Sequence, residues 1–436
     1  MTTNTNMSHA TAALLRARRC LTSVVAALLV GGAAACNGIL DVQNPGAIQE
    51  GQLADPALQQ LIANGAIGEF QYAYGQYAQW SAVLSDEAFT DHTNVDVRQF
   101  SLHDFTDLNT INSGVYEYLQ RARQSADDAA DRLKAMLGSG ASSSLDVARV
   151  LAYGGYAYTL LAEGFCEAPV NLSAPKTTDE LLQIALSRFD EAITVATAAS
   201  TGSNVAAAQD IIHMSQVGGA RAALKLGDAA KARNYASQVP ASYEKLAYYS
   251  SNTVRENNAL NGLTHASGAS LAMAPPFLGL NDPRVPQPAS TQLGLTGGSI
   301  YTPLTPYMYS EWVSSGSAPR ISVESDVRMA TGLEARYVIA ELDGPVQTTL
   351  DFVNERRAVG GEASVSLSGD PLMAELRAQR ARDFYLTGQR LGDLRRYAKA
   401  GINLFPTGKY PVFTDSYGDA TCFIIPLSEK AGNPSG

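Results

Sequence analysis

AAAQDIIHMSQVGGARAALKLGDAAKARNYASQVP, residues 206–240, is the stretch on which the reading of the fold turns. Apolar residues recur at three- and four-residue spacing up to Leu226, the mark of an amphipathic helix. Gly227 suits the left-handed residue that ends such a helix, and Asp228 suits the N-cap of a following one. The second helix runs through Ala230, Ala232, Tyr235 and Ala236 and stops before Pro240. Small residues at Ala220, Ala223, Ala232 and Ala236 let two helix axes approach closely. Two helices joined by so tight a turn form the antiparallel pair of a tetratricopeptide-type repeat, about 34 residues long.

Working outward, Leu145–Ala198 and Arg328–Val359 read as looser copies of the pair. In the second copy Gly344-Pro345 separates the helices, and Pro345 suits a first helical turn. Ala47 to about Asp86 and Tyr116–Leu137 add further helices with one apolar face each. The expected fold is therefore mainly α: a tetratricopeptide-like stack of helix pairs over about 47–240 and 328–400. Between these parts lies an irregular segment, about 248–325, rich in Gly, Pro, Ser, Thr and Asn. A stretch that long without periodicity is expected to carry function. Phe89–Asn112 reads as a shorter polar loop, and both segments have room for short strands.

The first 35 residues follow the pattern of a secretory signal: Arg16, Arg18 and Arg19, an apolar run Leu21–Leu29, then Ala33, Ala34 and Ala35. That run is shorter than the roughly 20 residues a spanning helix needs. Cys36 directly after the small triplet points to lipidation, although Ala33 stands where a lipoprotein signal prefers Leu; ordinary signal cleavage is the competing reading. Two or three acyl chains would hold a soluble body on a membrane. Loss of the three arginines leaves 29 basic against 42 acidic residues in the single expected domain 36–436, a net charge of −13. So acidic a body argues against nucleic acid as a partner. Cys166 and Cys422 stand 256 positions apart, and export would permit a bridge between them. Separate small buried residues is the preferred reading, since nothing in the sequence brings the two together.

No catalytic motif holds. There is no HExxH and no G-x-S-x-G, and Gly408-Lys409 is followed by Tyr410 with Asn403 where a phosphate loop needs glycine. His92 and His103 share a segment with Asp86, Asp91, Asp96 and Asp104, but the spacing fits a solvated loop better than a metal site. No cofactor and no enzyme activity is expected. Aromatics say more: Tyr301, Tyr307, Tyr309 and Trp312 fall within twelve residues of the irregular segment, where no helical spacing obliges them to be core. Such a face can stack on a sugar ring while polar groups bond its edge. Phe70, Tyr74 and Tyr77 recur at helical spacing and are expected in the core. Trp80, near the end of that helix, suits either place.

Several motifs in order resemble those of the SusD/RagB-like nutrient-binding outer-membrane lipoproteins. Cys36-Asn37-Gly38-Ile39-Leu40-Asp41 with Asn44-Pro45 looks like the family's lipidated start, and Ser85-Asp86-Glu87 like its acidic motif after the first long helix. Ala148-Arg149, Ala157-Tyr158, Leu161-Ala162 and Pro169 follow in the family's order, with Cys166 in place of the usual glycine after Phe165. Glu334-Ala335-Arg336-Tyr337 through Glu341, Asn354-Glu355-Arg356-Arg357, and Arg390 with Asp393-Leu394-Arg395-Arg396 are similar to its late motifs, although Asp383 and Thr387 depart from the usual acidic residues. Ile425-Pro426-Leu427-Ser428-Glu429 and Asn433-Pro434 look like its close.

The resemblance implies capture of a nutrient, commonly an oligosaccharide or polysaccharide, at the outer cell surface, and delivery to a SusC-like TonB-dependent transporter. It implies a ligand face built from loops between helices, which places Trp80, Asp86, Arg98, Tyr301, Tyr309 and Trp312 as expected ligand residues. Arg390, Asp393 and Arg395 read instead as buried ion-pair and capping groups. The other reading of the same helix pairs is a repeat-scaffold lipoprotein that mediates protein–protein assembly in the outer membrane.

Overall fold

The computed structural model describes residues 55–90, 92, 94–261, 271–285, 292–293, 300–301, 322–412 and 414–435, with the backbone alone at 292, 293, 300 and 301. Cys36, Tyr307, Tyr309 and Trp312 lie outside the described residues, as does the side chain of Tyr301.

The chain enters through a short turn in which Ala57 N donates to the Asp55 carboxylate at 2.9 Å. Helix α1 (Gln59–Leu84) follows, then strand β1 (Ala88–Thr90), α2 (Val95–Ser101), α3 (Thr110–Leu137) and α4 (Leu145–Gly164). Strands β2 (Glu167–Ala168) and β3 (Lys176–Thr177) lead to α5 (Thr178–Ala199), α6 (Val205–Leu226) and α7 (Ala229–Ala236). Several of these helices start on a side-chain cap. Asn109 accepts from Ile111 N and Asn112 N at α3, Ser144 accepts from Val147 N at α4, and Thr177 with Glu180 forms a capping box at α5. Gly227 ends α6 at φ 80°, and Asp228 opens α7 by accepting from Lys231 N.

Successive helices pack on one another, α4 on α5, α5 on α6 and α6 on α7, in the predicted tetratricopeptide-like stack. Phe189 of α5 is the wedge between three of them. A Cβ at Gly155 of α4 or Gly218 of α6 would stand 2.6 or 2.4 Å from its ring, so only glycine allows this spacing. Phe70, Tyr74 and Tyr77 are buried, as their spacing implies.

The second half begins with β4 (Glu244–Ala247), β5 (Leu271–Met273), β6 (Gln292–Leu293) and β7 (Ile300–Tyr301). It continues with β8 (Val327–Thr331), α8 (Gly332–Asp343), α9 (Gln347–Val359), α10 (Gly369–Asp383), α11 (Arg390–Lys399) and α12 (Leu427–Gly432). Strands β4 and β8 pair antiparallel and close the base of the inserted segment, while β5 returns to pair with β1. The polar loop expected over 89–112 thus contains a strand and a helix. The strand's partner lies at 271–273, too distant for any local pattern to announce it. In the Arg328–Val359 pair, Val346 is the N-cap of α9, so Pro345 precedes the helix rather than opening it.

Buried ion pairs join the halves. Arg221 of α6 donates to both carboxylate oxygens of Glu334 at 2.6 and 2.7 Å. Arg356, Arg284 and the Tyr337 hydroxyl all donate to Asp383. Arg284, 1% exposed at its side chain, also holds Asp282 and Gln379 and so fastens the inserted segment to α10. Arg395 donates to the carbonyls of Ala162 and Glu163 at the end of α4, and Asp393 takes Arg380 at 2.6 Å. Burial opposes the Asp393 charge, but Arg380, Lys225 and Arg396 outweigh it and hold this carboxyl below its usual range. These late residues thus have the capping and pairing roles read for them.

The cysteines correct the preferred reading: Cys166 and Cys422 are bonded, with Cα atoms 5.3 Å apart. Cys166 N donates to Phe423 O and Phe423 N to Gly164 O, so the backbone brings the two together at the exit of α4. The Phe423 ring stacks on Phe165 at 5.1 Å and on Phe100 at 5.4 Å. Replacing both cysteines by serine is expected to lower stability by about 2–4 kcal/mol. Chemical unfolding of parent and double variant checks this; coincident midpoints would mean the Phe423 packing suffices alone. Among the described residues no helix is long and apolar enough to cross a membrane.

Candidate ligand-binding face

The C-terminal end of α1 feeds directly into Ser85-Asp86-Glu87, β1 and α2, and these build a platform that β5 of the inserted segment joins by pairing with β1. Tyr410 holds its edge. Its hydroxyl accepts from Thr90 N at 2.9 Å, donates to Thr90 O at 2.7 Å and meets the Ser101 hydroxyl. Tyr417 lies against Tyr410 and against His103, with ring centroids 5.0 and 5.2 Å apart. His103 donates from Nε2 to the Val83 carbonyl, and burial pushes its pKa down to about 4, so the ring is neutral. His103 is therefore a buried link to α1, and among the described residues no cluster of three His, Cys, Asp or Glu side chains is placed to hold a metal.

The six residues expected at the ligand face separate. Trp80 is 8% exposed and packs edge-on to Phe100 at 5.8 Å, in the main core. Asp86 is buried too, and both its oxygens accept from Arg390 at 2.6 Å. Each is turned inward because α1 ends beneath the platform rather than at its rim. Arg98 stands at the rim, 43% exposed at its side chain, and pairs with Asp415 of equal exposure. Tyr301 follows Ile300 in the two-stranded β6–β7 hairpin, with its backbone opposite Gln292. Beneath lies Glu87, which burial, with the Asp86 charge, pushes up to about 8 against the opposing N–H bond from Leu386. Asp86 is thus taken up by Arg390 inside, while Arg98 and Asp415 are exposed polar groups at the rim.

A second concave surface escaped the sequence reading. A cavity of about 480 Å³ lies between the first half of α1 and residues 248–256. Arg255 stacks on Tyr72 at 4.4 Å and pairs with Glu69 at 2.5 Å, and Tyr72 meets Tyr118 edge-on at 5.0 Å. Tyr248 is 56% exposed beside them. The available signal was the pair Tyr248-Tyr249 at the head of an aperiodic segment; its facing residues on α1 are 176 or more positions earlier.

No protein-family model and no curated protein sequence matches the chain. Solved structures do. A SusD superfamily protein from Bacteroides vulgatus superposes with a TM-score of 0.64 at 15% identity, covering 88% of this chain and 98% of its own. The fold is SusD-like. A SusD-like carbohydrate-binding protein from the same organism gives a TM-score of 0.63 at 14% identity, over 87% and 96% of the two chains. A laminarin-binding SusD-like protein gives 0.57 at 15%, over 86% and 99%. The correspondence covers 86–88% of this chain and at least 96% of the other in all three.

Proposed function

We propose that this chain captures a carbohydrate, an oligosaccharide or polysaccharide, without transforming it, and passes it to a SusC-like TonB-dependent transporter. The observation that carries this reading is a fold shared over nearly its whole length with carbohydrate-binding proteins. Supporting it is the composition of the insertion, which sets Tyr301, Tyr309 and Trp312 in a segment rich in polar residues. Aromatic faces stack on sugar rings while the rim's polar groups bond the hydroxyls. Acylation at Cys36 would place the protein on the outer membrane, facing outward, and its acidic body leaves the lipid as the means of attachment.

Affinity electrophoresis of the mature chain through gels containing laminarin, xyloglucan or soluble starch tests the capture. Retardation by at least one glycan is expected, weakened at least tenfold in Trp312→Ala. Full retardation of that variant would move the site away from the insertion, and hydrolysis of the retained glycan would replace capture by catalysis. Recovery of a transporter barrel with the acylated protein from membranes supports delivery; recovery of an assembly machine would support the protein-binding scaffold instead.

A further inference from the structure

The groove between α1 and residues 248–256 has the features of a binding site in its own right. Its about 480 Å³ falls within the roughly 300–1,000 Å³ usual for small-molecule sites. One wall is Tyr72 with the Arg255 guanidinium laid on it, and the exposed Tyr248 stands at the mouth. The charges are matched: Arg255 is paired with Glu69, and Glu256 is held ionised by bonds from Ser250, Asn252 and Thr253, which lower its pKa. Among the described residues lining the groove no cation is left over to attract an anion. What the groove presents is aromatic surface, amides and hydroxyl acceptors, the chemistry that recognises a neutral polyol ring.

The floor adds an independent sign. Gly65 and Gly68 lie exposed in the interior of α1 and line the groove, and a Cβ on either would meet no atom within 4 Å. Glycine weakens a helix interior relative to alanine. At Gly155 and Gly218 close packing explains the glycine; at Gly65 and Gly68 no contact among the described residues does. A bare strip of helix backbone lets a flat ligand approach more closely than side chains would allow.

We infer that this groove is a second carbohydrate site, taking a pyranose ring over Gly65 and Gly68 between Tyr72 and Tyr248. It is separate from the platform: Tyr72 and Trp80 are eight residues apart on one helix, about 12 Å along its axis. The inference rests on the carbohydrate reading above, and gives a polymeric ligand two points of attachment whose affinities multiply.

The test uses the same gels and the mature chain carrying Gly65→Ala with Gly68→Ala, or Tyr248→Ala, beside Trp312→Ala. The glycine pair variant is expected to melt at a higher temperature than the parent and yet to bind the retarding polysaccharide at least fivefold more weakly. Tyr248→Ala is expected to weaken it similarly with an unchanged melting temperature. Parental affinity in either variant overturns the second site and leaves the capture reading standing. A parent retarded by none of the three polysaccharides overturns the capture reading, and this site with it.

Discussion

Asp86→Ala is expected to destabilise the protein by about 3–5 kcal/mol, because it strands the Arg390 guanidinium in the interior. Both Arg390–Asp86 contacts measure 2.6 Å, and the two side chains are 10% and 7% exposed. Burial opposes the Arg390 charge, but the Asp86 carboxylate outweighs it and raises the guanidinium's already high pKa further. Removing both partners together, as Asp86→Ala with Arg390→Met, is expected to recover most of the loss, since no uncompensated charge then remains. Denaturant midpoints of the two single variants and the double decide it. A fully stable Asp86→Ala with weakened glycan binding would return this carboxylate to the ligand face.

Glu87 gives the second large effect, and its sign runs the other way. Burial pushes its folded pKa up to about 8 from an ordinary 4.5, so the folded protein holds a proton that the unfolded chain releases. The stability this contributes is complete below about pH 4.5 and is lost as pH rises through about 8. Each pH unit between costs on the order of 1.4 kcal/mol, so several kcal/mol are lost across that window. Glu87→Gln mimics the protonated form and keeps an oxygen for the Leu386 N–H, which donates to Oε1 at 2.9 Å. The variant is expected to be the more stable at pH 8 and to show a flatter profile of melting temperature from pH 5 to 8. Parallel profiles for parent and variant would show that Glu87 is not buried as described.

Helices were legible where period and cap chemistry agree. Leu145–Gly164 needed only its apolar spacing, and the turn at Gly227-Asp228 shows its geometry in two letters. Strands of two or three residues were not, because β1 draws its identity from β5, 183 positions away in the Ala88–Leu271 span. The motif residues Arg390, Asp393 and Arg395 could be assigned to the interior as a class, since charges in a helix-rich motif tend to pair. Their partners could not: Asp86 is 304 positions from Arg390. The same blindness put Trp80 and Asp86 on the ligand face, for the end of a helix does not declare which side the next layer covers. The groove of Tyr72 and Tyr248 needed the third dimension entirely, although two unexplained glycines in one helix stood in plain view.

The bond between Cys166 and Cys422 has a topological consequence. It closes a covalent ring that takes in α5 through α11 and the whole inserted segment, leaving only α1–α4 and the last residues as tails. A protease that severs the chain anywhere in the insertion therefore opens the ring without releasing a fragment. The inserted loops can be cut once and the protein still remain one molecule, tied at the exit of α4.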